Sequence, residues 1–399
     1  MSSIKHNLNL KADQCVKCGL CLPHCPTYRI YENENESPRG RIALIQGLIN
    51  EQFPVSHRLK EHLDHCLSCL ACERVCPSGV KYGELLDHAK QSLSKKHTTN
   101  RYLVTQGLRL AKNKSAQKRL QNLLFIYQRS GLQALLRLFK LSSVEKITRG
   151  VSAYKAFSTS NQTKSKKLGL FTGCTGHMFD QQTIKDCIFL LEKLGYEVVI
   201  PEQQTCCGAL HQHNGEMDTA RELASKNLAA FTGLNTVVYV ASGCGAQLRQ
   251  YHTQTETHPS TQSDNPAFIE ICQFLSKEDL SQFKFRAFPQ SVSVHTPCSM
   301  RNALRQKDPS PDILKMIPDI RLNEIPAETG CCGAAGSYML SQPALAATVR
   351  QATLDVIENH ASQAVTTSNI GCRLHLSAGL PNKIDTMHPV SLLVKQLIR

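Results

Sequence analysis

The stretch CVKCGLCLPHCPTY, residues 15–28, decides how this chain is read, and it returns as CLSCLACERVCPSG at residues 66–79. Both follow C-x2-C-x2-C-x3-C-P. Three thiolates two residues apart can wrap one loop around three corners of an iron-sulfur cubane, while the fourth cysteine points away and serves the neighbouring cluster. The pattern therefore assigns Cys15, Cys18, Cys21 and Cys76 to one 4Fe-4S cluster and Cys25, Cys66, Cys69 and Cys72 to another. Gly19 permits a tight backbone, and Pro26 and Pro77 end the two loops. Paired C-x2-C units also build tetrahedral zinc sites. Three evenly spaced cysteines, a fourth followed by proline and a second copy of the whole pattern favour iron-sulfur.

Around these loops lie 399 residues with 18 cysteines, and 46 Lys and Arg set against 32 Asp and Glu give a net charge of +14. A hydrophobic content of 41% supplies ordinary apolar cores and excludes wholesale disorder. No run approaches the roughly 18 apolar residues of a membrane span, and MSSIKHNLNLKADQC lacks the apolar core of a secretory signal. The expected location is cytoplasmic, where cysteines act as ligands or catalysts rather than in disulfides.

A second cysteine set occupies the C-terminal half. Cys174, Cys206-Cys207 in CCGAL and Cys244 in ASGCGA are echoed by Cys298, Cys331-Cys332 in CCGAAG and Cys372 in SNIGC, at offsets of 124, 125 and 128 residues. Such a repeat is most simply a duplicated domain. In each copy the cysteines follow short apolar runs: KLGLFT, YEVVIP and TVVYVAS in the first, SVSVHT, RLNEIP and QAVTTS in the second. Helical patterns near 179–194 and 216–231 separate the runs of the first copy. Alternating strand and helix implies parallel sheets, whose sites gather beyond the carboxyl ends of the strands, so the four cysteines of each copy should converge. An iron-sulfur cluster, a zinc ion and a metal-free thiol cleft all fit such a group. Cys187 and Cys272 match neither pattern and read as inert buried thiols. His24, His211, His295 and His375 lie near cysteines but read as surface or supporting residues, not primary ligands.

The fold class is accordingly α+β multidomain. Residues 1–94 form a helical two-cluster (8Fe-8S) ferredoxin-type domain held by its clusters rather than by a large core. Residues 95–166 form a basic helical connector, and 167–288 and 289–399 form two tandem α/β parallel-sheet CCG domains. From Asp87 to Lys167 there are 18 Lys and Arg against Asp87 and Glu145. Apolar residues recur at helical spacing there, as Leu120, Leu123, Leu124, Tyr127 and as Leu132, Leu135, Leu136, Phe139. One reading docks these amphipathic helices on an anionic membrane or acidic partner; the other packs their apolar stripe on neighbouring elements. Nucleic acid is not expected, because no nucleic-acid module and few aromatics accompany the charge.

The paired cysteine loops, SPRGRIAL between them, and the two CCG repeats ending in ASGCGA and SNIGC resemble the iron-sulfur subunit of bacterial glycolate oxidase, a glycolate dehydrogenase. The resemblance covers nearly the whole chain and is weakest at about 95–165. Related architectures serve anaerobic glycerol-3-phosphate dehydrogenase, respiratory D-lactate dehydrogenases and heterodisulfide reductase, while CCGAAGSYMLSQPALA and SNIGCRLHLSAG tilt the resemblance to glycolate oxidase. It implies partner flavoprotein subunits that bind FAD and oxidise glycolate to glyoxylate, with this subunit carrying electrons singly to a membrane quinone. No G-x-G-x-x-G follows a strand here, so no flavin site and no complete active site are expected in this chain. A zinc-stabilised scaffold or nucleic-acid-binding protein is the alternative of another class. The heterodisulfide reductase pattern ends in C-x2-C; here Ala241 and Gln247 flank Cys244, and Asn369 and His375 flank Cys372. A fifth thiolate is missing from both copies, which leaves a four-cysteine site or one using His375.

Overall fold

A computed structural model describes residues 2–94, 100–130, 157–159, 166–251, 265–329 and 331–398. Helices Ser2–Asp13, Pro38–Ile49 and Tyr82–Ser94 pack together beside the two cysteine loops. Ile42, Ile45, Leu59, Leu63, Leu85 and Leu86 are buried between them, with Cys15, Cys66, Cys72 and Cys76 at the edge of this cluster. Beside the clusters expected to hold this region, the helices flanking the loops supply a small apolar core of their own. The burial of one helix against another is a tertiary event.

Among the described residues eight strands follow: β1 Lys166–Phe171, β2 Tyr196–Val199, β3 Thr236–Tyr239, β4 Ala267–Glu270, β5 Ser291–His295, β6 Arg321–Glu324, β7 Ala364–Thr367 and β8 Asp385–Met387. They form two four-stranded sheets of order β2-β1-β3-β4 and β6-β5-β7-β8, and every pairing is parallel. The same order in both sheets is the structural form of the repeat. Helices Gln181–Lys193 and Met217–Ala230 stand where the apolar spacing put them. Strands β4 and β8 were not anticipated. Both are short, and β8 has no fully buried residue, so neither carries a strong alternating signal.

The two sheets share one core. Leu168, Ile184 and Cys187 of the first copy and Val292, Val294 and Leu392 of the second belong to one buried cluster with Cys272. Helix Gln181–Lys193 packs on Pro389–Gln396 of the other copy. Cys187 and Cys272 are fully buried there, in keeping with inert thiols.

Helices Asn100–Lys112 and Lys114–Arg129 carry part of the basic segment. Lys112 pairs with Glu222 at 2.8 Å, and Lys114 donates to the Glu202 carbonyl at 2.5 Å, so this segment rests on the first copy. Gln117 and Gln121 are buried, whereas Leu123 and Ile126 are exposed. The stripe of the second helix is therefore turned partly outward. The stripe Leu132, Leu135, Leu136, Phe139 lies outside the described residues. Among those described, no helix is long and apolar enough to cross a membrane.

Candidate metal centres

Equal spacing gives the two N-terminal loops equal backbones. Lys17 and Gly19 in the first, Ser68 and Leu70 in the second, occupy corresponding positions and all have positive φ, between 51° and 87°. Gly19 adopts this curl without penalty, while Leu70 accepts a cost of about 1–2 kcal/mol. The curl coils each loop inward. Cys15, Cys18, Cys21 and Cys76 line one cavity together with Cys72. Cys69 and Cys72 are half-buried, and their thiols are pushed well up, first by desolvation and then by neighbouring sulfurs that include Cys66 and Cys25. Crowded thiols of this kind become stable thiolates when a metal neutralises them.

The segment SPRGR carries a feature that spacing alone did not reveal. Ser37 caps helix Pro38–Ile49 by accepting from the Gly40 N–H at 2.9 Å. At Gly40 a Cβ would stand 1.9 Å from the Glu34 carbonyl oxygen, so only glycine lets the preceding turn close on the helix. That closure buries Arg41. Its guanidinium donates to the His62 carbonyl at 2.7 Å, to Thr27 Oγ1 at 3.0 Å and to the Glu36 carbonyl at 2.7 Å, and it pairs with the Glu36 carboxylate. Its Nη1 also lies 4.0 Å from Cys25 Sγ. Burial raises the Glu36 carboxyl, but hydrogen bonds with His65 and His62 and the charge of Arg41 outweigh it and hold the group below the usual range. A fixed positive charge therefore stands beside Cys25.

In the C-terminal half all six cysteine positions follow strands. The thiols of Cys174, Cys206, Cys207 and Cys244 form one chain of neighbours that perturb one another's ionisation. Cys298, Cys331, Cys332 and Cys372 repeat it, with Cys298 Sγ 4.0 Å from Cys331 Sγ. The first cysteine of each pair accepts a hydrogen bond at 3.4 Å from the backbone of the following glycine, Gly208 or Gly333. Both glycines have positive φ. In the first group the neighbouring Cys174 and Cys207 thiols pull Cys206 well down despite burial. Convergence is thus present in both copies.

The histidines divide. His24 is exposed. His211 shares its Nδ1 with Glu216 at 2.7 Å, and His375 turns its Nε2 onto the Ala346 carbonyl at 3.1 Å. Only His295, among the four, joins a ligand-like group: its imidazole and the sulfurs of Cys332 and Cys372 lie within 4.8 Å of one another.

The sites are contiguous. Leu67 and Cys69 share an apolar cluster with Cys298, Cys331 and Tyr338. Asn302 Nδ2 donates to the Cys69 carbonyl at 2.8 Å and the Tyr338 hydroxyl to the His65 carbonyl at 3.0 Å. The second CCG site is thereby joined to the second cysteine loop. Between the CCG sites, the Ser242 N–H donates to the Ser368 carbonyl at 3.0 Å, and Ser242 Oγ meets Ser299 Oγ at 2.8 Å.

Comparison with known proteins agrees with this layout. A 4Fe-4S dicluster domain matches residues 11–80, which hold all eight loop cysteines. A cysteine-rich domain matches 168–249 and 292–377, which hold both CCG groups. The probable glycolate oxidase iron-sulfur subunit of Bacillus subtilis (strain 168) is 31% identical over 99% of this chain and 97% of its own. The chain belongs to the glycolate oxidase iron-sulfur subunit family. The corresponding subunit of Escherichia coli (strain K12) is 28% identical over 91% of this chain and 89% of its own. A hypothetical protein from Helicobacter pylori shares the fold at a TM-score of 0.54 and 10% identity, covering 89% of this chain and 68% of that one. An iron-sulfur electron-transfer role follows from the family and the cysteine loops together.

Proposed function

We propose that this chain is the electron-transfer subunit of a glycolate dehydrogenase complex. In this reading Cys15, Cys18, Cys21 and Cys76 hold one 4Fe-4S cluster and Cys25, Cys66, Cys69 and Cys72 the other, in a domain division of 1–94, 95–166, 167–288 and 289–399. The observation that carries it is the unbroken succession of cysteine groups, from the first loop through the second to Cys298 and Cys331. Partner flavoprotein subunits with FAD would take the hydride equivalent from glycolate, and this subunit would pass the electrons singly to a membrane quinone. Arg41 stabilises negative charge on the cluster at Cys25. The second CCG site, touching that loop, extends the path with a further iron-sulfur cluster.

Removing this subunit from the complex should abolish glycolate-dependent quinone reduction in membranes while flavin reduction by glycolate persists. Undiminished quinone reduction would refute the role, and reduction driven by D-lactate but not glycolate would move the assignment to another 2-hydroxy acid. The exposed Leu123 and Ile126, beside exposed Lys118 and Arg119, support contact with an anionic membrane face. Binding to vesicles should require anionic lipid and fade as salt rises; equal binding to neutral vesicles at high salt would exclude it.

A further inference from the structure

The two CCG copies differ at positions facing the cysteines: Asn369, which donates to Cys372 Sγ at 3.3 Å, stands where the first copy has Ala241, and a second difference brings in a histidine. SVSVHTPC aligns with KKLGLFTGC so that His295 of β5 stands where Phe171 ends β1, three residues before the first cysteine of each copy. Phe171 is buried against Cys174, Cys206 and Cys207, an apolar wall on the first site. His295 is equally buried, but it brings a nitrogen within 4.8 Å of the sulfurs of Cys332 and Cys372. Thr367 Oγ1, at 3.0 Å from its Nδ1, fixes the orientation of the ring. A partner that orients a ring through one nitrogen leaves the other for a metal.

We infer that His295 is a ligand of the metal centre in the second CCG site, completing a donor set with Cys298, Cys331, Cys332 and Cys372, while the first site has cysteines only. This rests on the reading that the second site holds an iron-sulfur cluster. Five donors exceed the four of a structural zinc, and they provide the fifth ligand that neither Asn369 nor His375 supplies. His375 is committed to the Ala346 carbonyl. An imidazole at the fifth position adds no negative charge, so the centre keeps a higher potential than a fifth thiolate there would give it.

The test uses the full chain purified without oxygen, with 15N-labelled histidine, alongside His295→Phe, the residue of the first copy, and His295→Cys. Iron and sulfide are counted, and pulsed EPR reads nitrogen coupling. Wild type should carry iron beyond the roughly 8 of two ferredoxin-type clusters and show a strong coupling that changes with the histidine label. His295→Phe should lose that coupling and the additional iron while keeping the ferredoxin signals. His295→Cys should keep the iron, lose the coupling and shift the midpoint potential downward. Additional iron without histidine coupling in wild type would overturn the inference and leave the cluster reading intact. No iron beyond the ferredoxin complement, or zinc in its place, would overturn both. Should His295→Phe fail to fold, the wild-type label and His295→Cys still decide the question.

Discussion

Arg41 shows how much one buried charge can organise. Fully buried guanidinium is tolerable only because Glu36, Thr27 and two carbonyls accept four hydrogen bonds from it. Removing it strands the Glu36 carboxylate, with His62 and His65 as its remaining partners at 2.7 and 3.0 Å. Arg41→Met should destabilise the N-terminal region by about 3–5 kcal/mol and lower the potential of the cluster at Cys25. Anaerobic thermal unfolding and a redox titration check both, and an unchanged potential would show that Arg41 is structural only. Arg41→Lys should restore part of the stability, since a lysine keeps the charge but not the forked geometry. Nothing in the spacing of SPRGR predicts this burial. An arginine in an amphipathic helix is ordinarily solvent-facing, and only the close approach permitted at Gly40 turns it inward.

At the scale of elements, the junction of β4 with helix Ile271–Leu275 carries an unexpected charge problem. Glu270 caps this helix, its Oε2 accepting from the Gln273 N–H at 2.9 Å, while Oε1 has no hydrogen-bond partner among the described residues. Burial, with Asp308 nearby, pushes the carboxyl up to about 8 from an ordinary value of 4.5. Between these values the unfolded chain has released the proton that the folded chain retains. Stability should therefore fall as pH rises through this window, by about 1.4 kcal/mol per pH unit. Glu270→Gln keeps a capping oxygen without the charge. Melting curves of the two proteins should coincide below pH 4.5 and diverge up to about pH 8, the variant being the more stable. Parallel pH profiles would show that Glu270 is ionised in the folded state. Strand β4 itself escaped notice because a four-residue run, AFIE, has neither length nor alternation enough to stand out.

For the whole molecule, docking of the cysteine loops on the second CCG domain is what places the sites in succession. Asn302 and Tyr338 supply two hydrogen bonds to the second loop, Arg29 donates a third across the contact to the Glu328 carbonyl at 3.1 Å, and one small apolar cluster completes it. Removing the first two bonds in an Asn302→Ala, Tyr338→Phe variant should cost about 2 kcal/mol and speed amide exchange in residues 66–72 on the order of ten-fold. Intramolecular electron transfer should slow while iron content is unchanged. Unaltered exchange would mean that the remaining contacts alone secure the docking.

The chemistry of this chain was legible without coordinates because cysteine spacing is a local property. Three thiolates two residues apart can reach one inorganic core whatever surrounds them, and the repeat of Cys174, Cys206-Cys207 and Cys244 discloses a duplication by arithmetic. Strand-borne cysteines at one sheet edge follow from parallel topology, so their convergence was also foreseeable. Tertiary structure decided what depends on contacts between distant segments. It joined both sheets through one core, set Arg41 beside Cys25 and pressed Cys69 toward Cys298. It also distinguished His295 from His375, which lie equally near cysteines in sequence: the first ends a buried strand at the site, whereas the second sits on a helix and turns its ring to a carbonyl.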